Sequence, residues 1–156
     1  MPMQITSTAF EPGALIPSEY TCDGNSKINP PLSISGVPEG TKSLALIVDD
    51  PDVPKQLRPD GLFTHWILFN IPVETSEVSE GASVGTGGVN SGGSNSYVGP
   101  CPPPQYEPSE HRYIFKLYAL DTKLELQSGA RKDEVLEAMQ GHIVAEAELV
   151  GRYKRQ

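Results

Sequence analysis

Hydrophobic positions along this chain fall in short, punctuated runs, and three of those runs are continuous rather than alternating: Ser43 to Val48, Thr64 to Ile71 and Arg112 to Leu120. A continuous apolar run of strand length, bounded by turn signals, reads as a strand covered on both faces. The first run ends in acidic residues, the second is stopped by Pro72, and the third is stopped by Asp121. Together they predict the centre of one packed layer, with shorter strands at Leu32-Ser33-Ile34 and Leu124-Glu125-Leu126. A helical period shows only in Arg131 to Gln140, where Val135, Leu136 and Met139 share a face and Gly141 ends the run. Beyond it, Ile143, Ala145, Ala147 and Leu149 alternate with Val144, Glu146, Glu148 and Val150, the period of a half-buried strand. One long helix carrying a glycine flaw is the alternative reading of that region.

Fifteen Gly and fifteen Pro interrupt the chain too often for a helical bundle, and β-branched and aromatic residues cluster between the breaks. The expected class is therefore mostly β. Ser76 to Ser96 is rich in Gly and Ser and has almost no apolar residue besides valine. Such a stretch cannot bury itself and reads as a long functional or mobile loop leading into Gly99-Pro100-Cys101.

With 156 residues, 37% of them hydrophobic, the chain is expected to be a single domain over 1–156 with one core. No repeat or linker divides it. Its formal charge of −8, from 12 Lys and Arg against 20 Asp and Glu, disfavours nucleic acid and anionic bilayers as partners. Met1 to Thr6 shows no positive region followed by an apolar run, and no stretch approaches the roughly 20 apolar residues of a membrane span. A soluble, cytoplasmic protein is expected. Cys22 and Cys101 allow one disulfide at most, and a reducing cytosol favours two free thiols, with a bridge as the alternative. No CxxC or HExxH spacing indicates zinc.

The residues that could carry chemistry stand at the ends of the buried runs. Asp50 and Asp52 flank Pro51, with Pro54 following, so their carboxylates sit on a corner of fixed φ. His65 and His111 each precede a central strand, whereas Asp50 follows one. Were the first run antiparallel to the other two, all three residues would meet at one edge of the sheet. There a carboxylate could take one imidazole proton and leave the second ring nitrogen facing a ligand. In Gly99-Pro100-Cys101-Pro102-Pro103-Pro104, Cys101 is the one residue between Gly99 and Gln105 with a backbone N–H, so that donor, alone or paired with Gly99, could meet an anion. Because Asp50 would repel a fully ionised ligand, the pattern favours small protonatable anions such as a phosphomonoester.

These elements resemble the phosphatidylethanolamine-binding protein family, also called Raf kinase inhibitor proteins, in its bacterial and archaeal branch. The resemblance runs through Ile16-Pro17-Ser18-Glu19-Tyr20-Thr21-Cys22-Asp23-Gly24, Asn29-Pro30-Pro31-Leu32, the DDPDVP, HW, GPCPPP and HRYIFKLYALD segments, and Gly141-His142 with Ala145 to Leu149. It implies a β-sandwich-like fold, a large central antiparallel sheet plus a smaller one with a short C-terminal helix. It also implies a small pocket for phosphate-like anions, including phospholipid head groups. Position by position, Asp50, His65 and His111 match the family's pocket residues and Tyr113 its aromatic hydroxyl. Gly99, Cys101 and Pro102 match the pocket's backbone corner, and Asp52 and Trp66 are expected to support the wall. Val53-Pro54 matches the position of a cis peptide in the family. Two departures stand out: eukaryotic members have a longer C-terminal region, and the segment Lys55 to Phe63 differs in length between branches.

The expected function is accordingly a non-enzymatic binding protein for a phosphate, carboxylate or phospholipid head group, with kinases or serine proteases as candidate protein partners. No catalytic residue, cofactor or metal ligand is assigned. The competing readings are a hydrolase in which His65 or His111 activates Cys101 toward a small ester, and a metal site built from both histidines and an Asp. His142 is expected to cap the carbonyls at the helix end. Glu146 and Glu148 read as a solvated strand face, with a homodimer contact left open.

Overall fold

The computed structural model describes residues 2–156. In chain order its elements are β1 (Gln4–Thr6), a 3₁₀ turn at Ser18–Tyr20, β2 (Leu32–Ser35), β3 (Ser43–Asp50), β4 (Phe63–Ile71), β5 (Glu77–Val78), β6 (Thr86–Gly87), β7 (Glu110–Leu120), α1 (Lys132–Met139) and β8 (Ile143–Lys154). Two antiparallel sheets form, one of five strands in the order β6-β4-β3-β7-β8 and one of three in the order β1-β2-β5. The three continuous apolar runs are the adjacent strands β4, β3 and β7, as their composition predicts.

Every residue of β3 is buried because both faces of the large sheet are covered. Leu44, Leu46 and Val48 face the small sheet, where Ile5, Leu32, Ile34 and Val78 meet them in the larger core. Ala45 and Ile47 face the other way, packing with Ile67 and Phe69 under Val135 and Met139 of α1. A strand sandwiched in this way gains nothing from polar alternation, which is why its sequence shows none. Peripheral β8 does alternate, as expected, and continues beyond Val150 through Gly151 to Lys154. Among the described residues no helix is long and apolar enough to cross a membrane.

Several local expectations are corrected. Leu124-Glu125-Leu126 is not a strand. The Asn70 side chain, on a backbone with φ of 52°, donates to the Leu124 carbonyl and accepts from the Leu124 N–H at 2.8 Å each, taking the place of a strand partner. Leu136 does not share the buried face of α1, being 40% exposed. Ser76 to Ser96 is mostly loop, as expected, but it also holds the two-residue strands β5 and β6 and is pinned by buried Asn90. That amide donates to the carbonyls of His65 and Ser96 and accepts from the N–H groups of Gly92 and Ser94. The cis peptide lies at Glu107-Pro108 rather than Val53-Pro54.

Candidate functional site

Antiparallel pairing brings the end of β3 beside the starts of β4 and β7, so Asp50, His65 and His111 meet at one edge of the large sheet. Simple alternation would not have placed them on one face. Val48 pairs with Trp66 and Asp49 with Thr64, which leaves His65 as one extra residue in β4. Such a bulge re-aims a side chain. It turns His65 toward the face shared by Asp50 and Tyr113, with its ring 4.7 Å from that of Phe63 and 5.2 Å from that of Tyr113. Asp49 points to the opposite face, where it accepts hydrogen bonds from Thr64 Oγ1 and from Lys132 Nζ, tying the start of α1 to the sheet.

The two histidines differ in state. His111 Nδ1 lies 2.6 Å from Asp50 Oδ2 and its Nε2 lies 3.0 Å from the Pro108 carbonyl. Both contacts suit a ring that donates from both nitrogens, the protonated form that this setting favours. Burial alone would lower its pKa, yet the Asp50 hydrogen bond and charge outweigh that and leave it raised. His111 thus has no ring nitrogen left for a ligand, contrary to expectation. His65 donates from Nδ1 to the Val98 carbonyl at 2.7 Å. Burial pushes its pKa down, so the ring is neutral and its Nε2 is an acceptor at the cavity. A main-chain carbonyl, not a carboxylate, fixes the tautomer.

The cavity has a volume of about 360 Å³. Asp50, His65, His111, Gly99, Cys101 and Pro102 all line it, together with Val53, Leu57, Arg58, Phe63, Val98 and Pro103. Gly99 is required for close approach, because a Cβ there would run into the Tyr20 carbonyl oxygen. Its N–H is committed to the Ser26 carbonyl at 2.7 Å, so it cannot join Cys101 in meeting an anion. Among the hydrogen bonds of the described residues none uses the Cys101 N–H. Cys101 is bridged to Cys22, with Cα atoms 5.4 Å apart, which overturns the expectation of free thiols and leaves no nucleophilic sulfur in this state.

Tyr113 and Trp66 are placed differently from expectation. Tyr113 is 1% exposed and stands behind the His65 ring rather than on the cavity wall, its hydroxyl buried without a hydrogen-bond partner among the described residues. Burial first, then the nearby Asp50 carboxylate, drives its pKa upward and keeps the phenol protonated. Asp52 supports from outside. Its N–H donates to Asp50 Oδ1 at 2.8 Å, while its carboxylate takes three hydrogen bonds from Arg112, which hold it below the usual carboxylate range. Trp66 lies in the inter-sheet core, edge to face with Tyr97, and Phe63 takes the wall position instead.

Arg58 and Phe63 are among the site residues that sequence reasoning missed. Both lie in the Lys55 to Phe63 segment, which carries no motif, although Phe63 precedes His65 by two positions in a strand and so could have been placed beside it. Among the described residues no group of three or more His, Cys, Asp and Glu is placed to hold a metal ion. The His142 side chain pairs with Asp121 at 2.7 Å, and it is the backbone N–H of His142 that bonds the helix-end carbonyl of Met139.

A two-sheet β fold with a histidine and carboxylate cavity at the sheet edge defines a recognised class of protein. A model of the family described as phosphatidylethanolamine-binding protein matches residues 6–154, and the chain belongs to this family. Its relatives include a UPF0098 protein of Chlamydia muridarum, 49% identical over 98% of this chain and 99% of the relative. Another, from Methanothermobacter thermautotrophicus, is 47% identical with the same coverage. The crystal structure of a phosphatidylethanolamine-binding protein homologue from Chlamydia trachomatis superposes with a TM-score of 0.93 at 48% identity, covering 99% of both chains. E. coli YbcL, described as a member of the mammalian family, gives 0.86 at 29% identity over the whole of both chains.

Proposed function

We propose that this protein binds a small phosphate-like or carboxylate anion in the sheet-edge cavity and is not an enzyme. One observation carries the reading: His65 and Cys101, whose Nε2 and backbone N–H have no hydrogen-bond partner among the described residues, line the same cavity beside the paired Asp50 and His111. A ligand that is both proton donor and anion matches these two groups, as a phosphomonoester or a protonated phosphate does. The buried Asp50–His111 pair then serves as a rigid, neutral support for the corner rather than as a ligand contact. The alternative hydrolase would need a thiolate at Cys101, and that sulfur is held in a disulfide.

Calorimetric titration with inorganic phosphate, O-phosphoethanolamine and acetate tests the reading. Saturable binding that weakens when His65 is replaced by Phe is the expected result. Heats no greater than dilution for all three ligands contradict it.

A further inference from the structure

We infer that Arg58 sets the specificity of the cavity, selecting a phosphomonoester attached directly to an apolar body and rejecting zwitterionic phosphodiester head groups. The inference rests on the anion-binding reading above and names the ligand class for that site.

Among the described residues Arg58 is the one cation on the cavity wall without an anionic partner. His111 is matched by Asp50, and among the described ion pairs none includes Arg58. Its guanidinium is held in place all the same. The carbon at its centre lies 4.7 Å from the Phe63 centroid, and Nη2 donates to the Ser91 carbonyl at 3.1 Å. Ser91 is in turn clamped to β4 next to His65, giving its N–H to the Thr64 carbonyl and taking the Thr64 N–H on its hydroxyl. One guanidinium donor is used in this tether and the others remain, in the fork geometry that suits phosphate oxygens.

Three features then act together. One uncompensated positive charge favours a ligand of net negative charge. His65 Nε2 requires a proton on the ligand, which a phosphomonoester can supply, its second pKa being about 6. A phosphodiester has no such proton, and an ammonium group beside its phosphate would meet the Arg58 cation. Leu57, Phe63, Pro102 and Pro103 provide apolar wall that inorganic phosphate leaves uncovered, so an aryl or short alkyl substituent adds burial.

The test is calorimetry at pH 6 with phenyl phosphate, inorganic phosphate and glycerophosphoethanolamine on the wild type, R58K and R58Q, with thermal unfolding as a folding control. The wild type should bind phenyl phosphate at least about tenfold more tightly than either other probe, and R58Q should lose about tenfold or more for phenyl phosphate, with R58K in between. Equal binding of phenyl phosphate by wild type and R58Q overturns the role of Arg58 while leaving the cavity as an anion site. Wild-type binding of glycerophosphoethanolamine as tightly as phenyl phosphate overturns the ligand class. That comparison needs no variant, so it stands even if R58Q fails to fold. Absence of binding for all three probes removes the anion-binding reading and this inference with it.

Discussion

Asp50 Oδ2 and His111 Nδ1 lie 2.6 Å apart, both side chains almost wholly buried, although 61 residues separate them in the chain. This contact joins the end of β3 to the start of β7 and fixes the charge state of the cavity floor. A buried pair of this kind is a poor source of net stability when measured against apolar packing, but removing one partner leaves the other charge stranded. Asp50→Asn is therefore expected to destabilise the fold by about 3 kcal/mol and to drop the His111 pKa below that of free histidine. Urea denaturation and ring-proton NMR titration check both, and an unchanged His111 pKa would show that the pair is not the cause of its charge.

The two histidines should impose opposite limits on stability with pH. His65 has its pKa lowered by burial, so protons prefer the unfolded chain and stability is lost as pH falls below about 6.5 toward the folded-state value. His111 has its pKa raised, so its contribution is complete below about 6.5 and is lost as pH rises through the folded-state value. Denaturation midpoints measured across pH should fall away on both sides of that region for the wild type. In His111→Gln the alkaline loss assigned to this residue should vanish while the acid loss persists. A variant that retains the full alkaline loss would assign it to another group.

The disulfide closes a loop between residues 79 apart in sequence. Chain-entropy arguments put the stabilisation for a loop of that size at about 4.5 kcal/mol. Cys22→Ser with Cys101→Ser should lower stability by that order, and protein denatured without reductant should show no thiol reactive toward a chromogenic disulfide. Two reactive thiols under those conditions would restore the free-cysteine reading.

Asn90 binds four backbone groups of its own loop and of β4 with one side chain. Asn90→Ala leaves those groups unsatisfied at a buried position, at a cost of about 2 kcal/mol. Hydrogen exchange should become faster from Gly92 to Val98 while β3 and β7 stay protected. Uniform acceleration across the sheet would mean that the loop does not open on its own.

The long strands were legible because burial on both faces leaves an uninterrupted apolar signature that turn residues bound sharply, as in Ser43 to Val48. The arrival of Asp50, His65 and His111 at one edge of the sheet followed from antiparallel order. The means by which they meet did not. The extra residue at His65 is a property of the pairing with β3, and nothing in THWILFNI marks it. The free-thiol expectation failed because it rested on compartment, whereas the bridge depends on Gly99 letting the proline corner approach Tyr20 and Thr21. Leu124 to Leu126 has a strand's composition, but its backbone finds the Asn70 amide before it finds a neighbouring strand. Arg58 was hidden because its role arises from a tether to Ser91, 33 residues away, that no local pattern announces.

The most direct test of the anion site is to follow the Cys101 backbone amide and the His65 ring nitrogens by NMR while phenyl phosphate is added. Saturating shifts at the Cys101 N–H and at His65 Nε2, with His111 remaining doubly protonated throughout, are the predicted result. Shifts confined to His111, or none at any of these atoms while the ligand binds elsewhere, would contradict it.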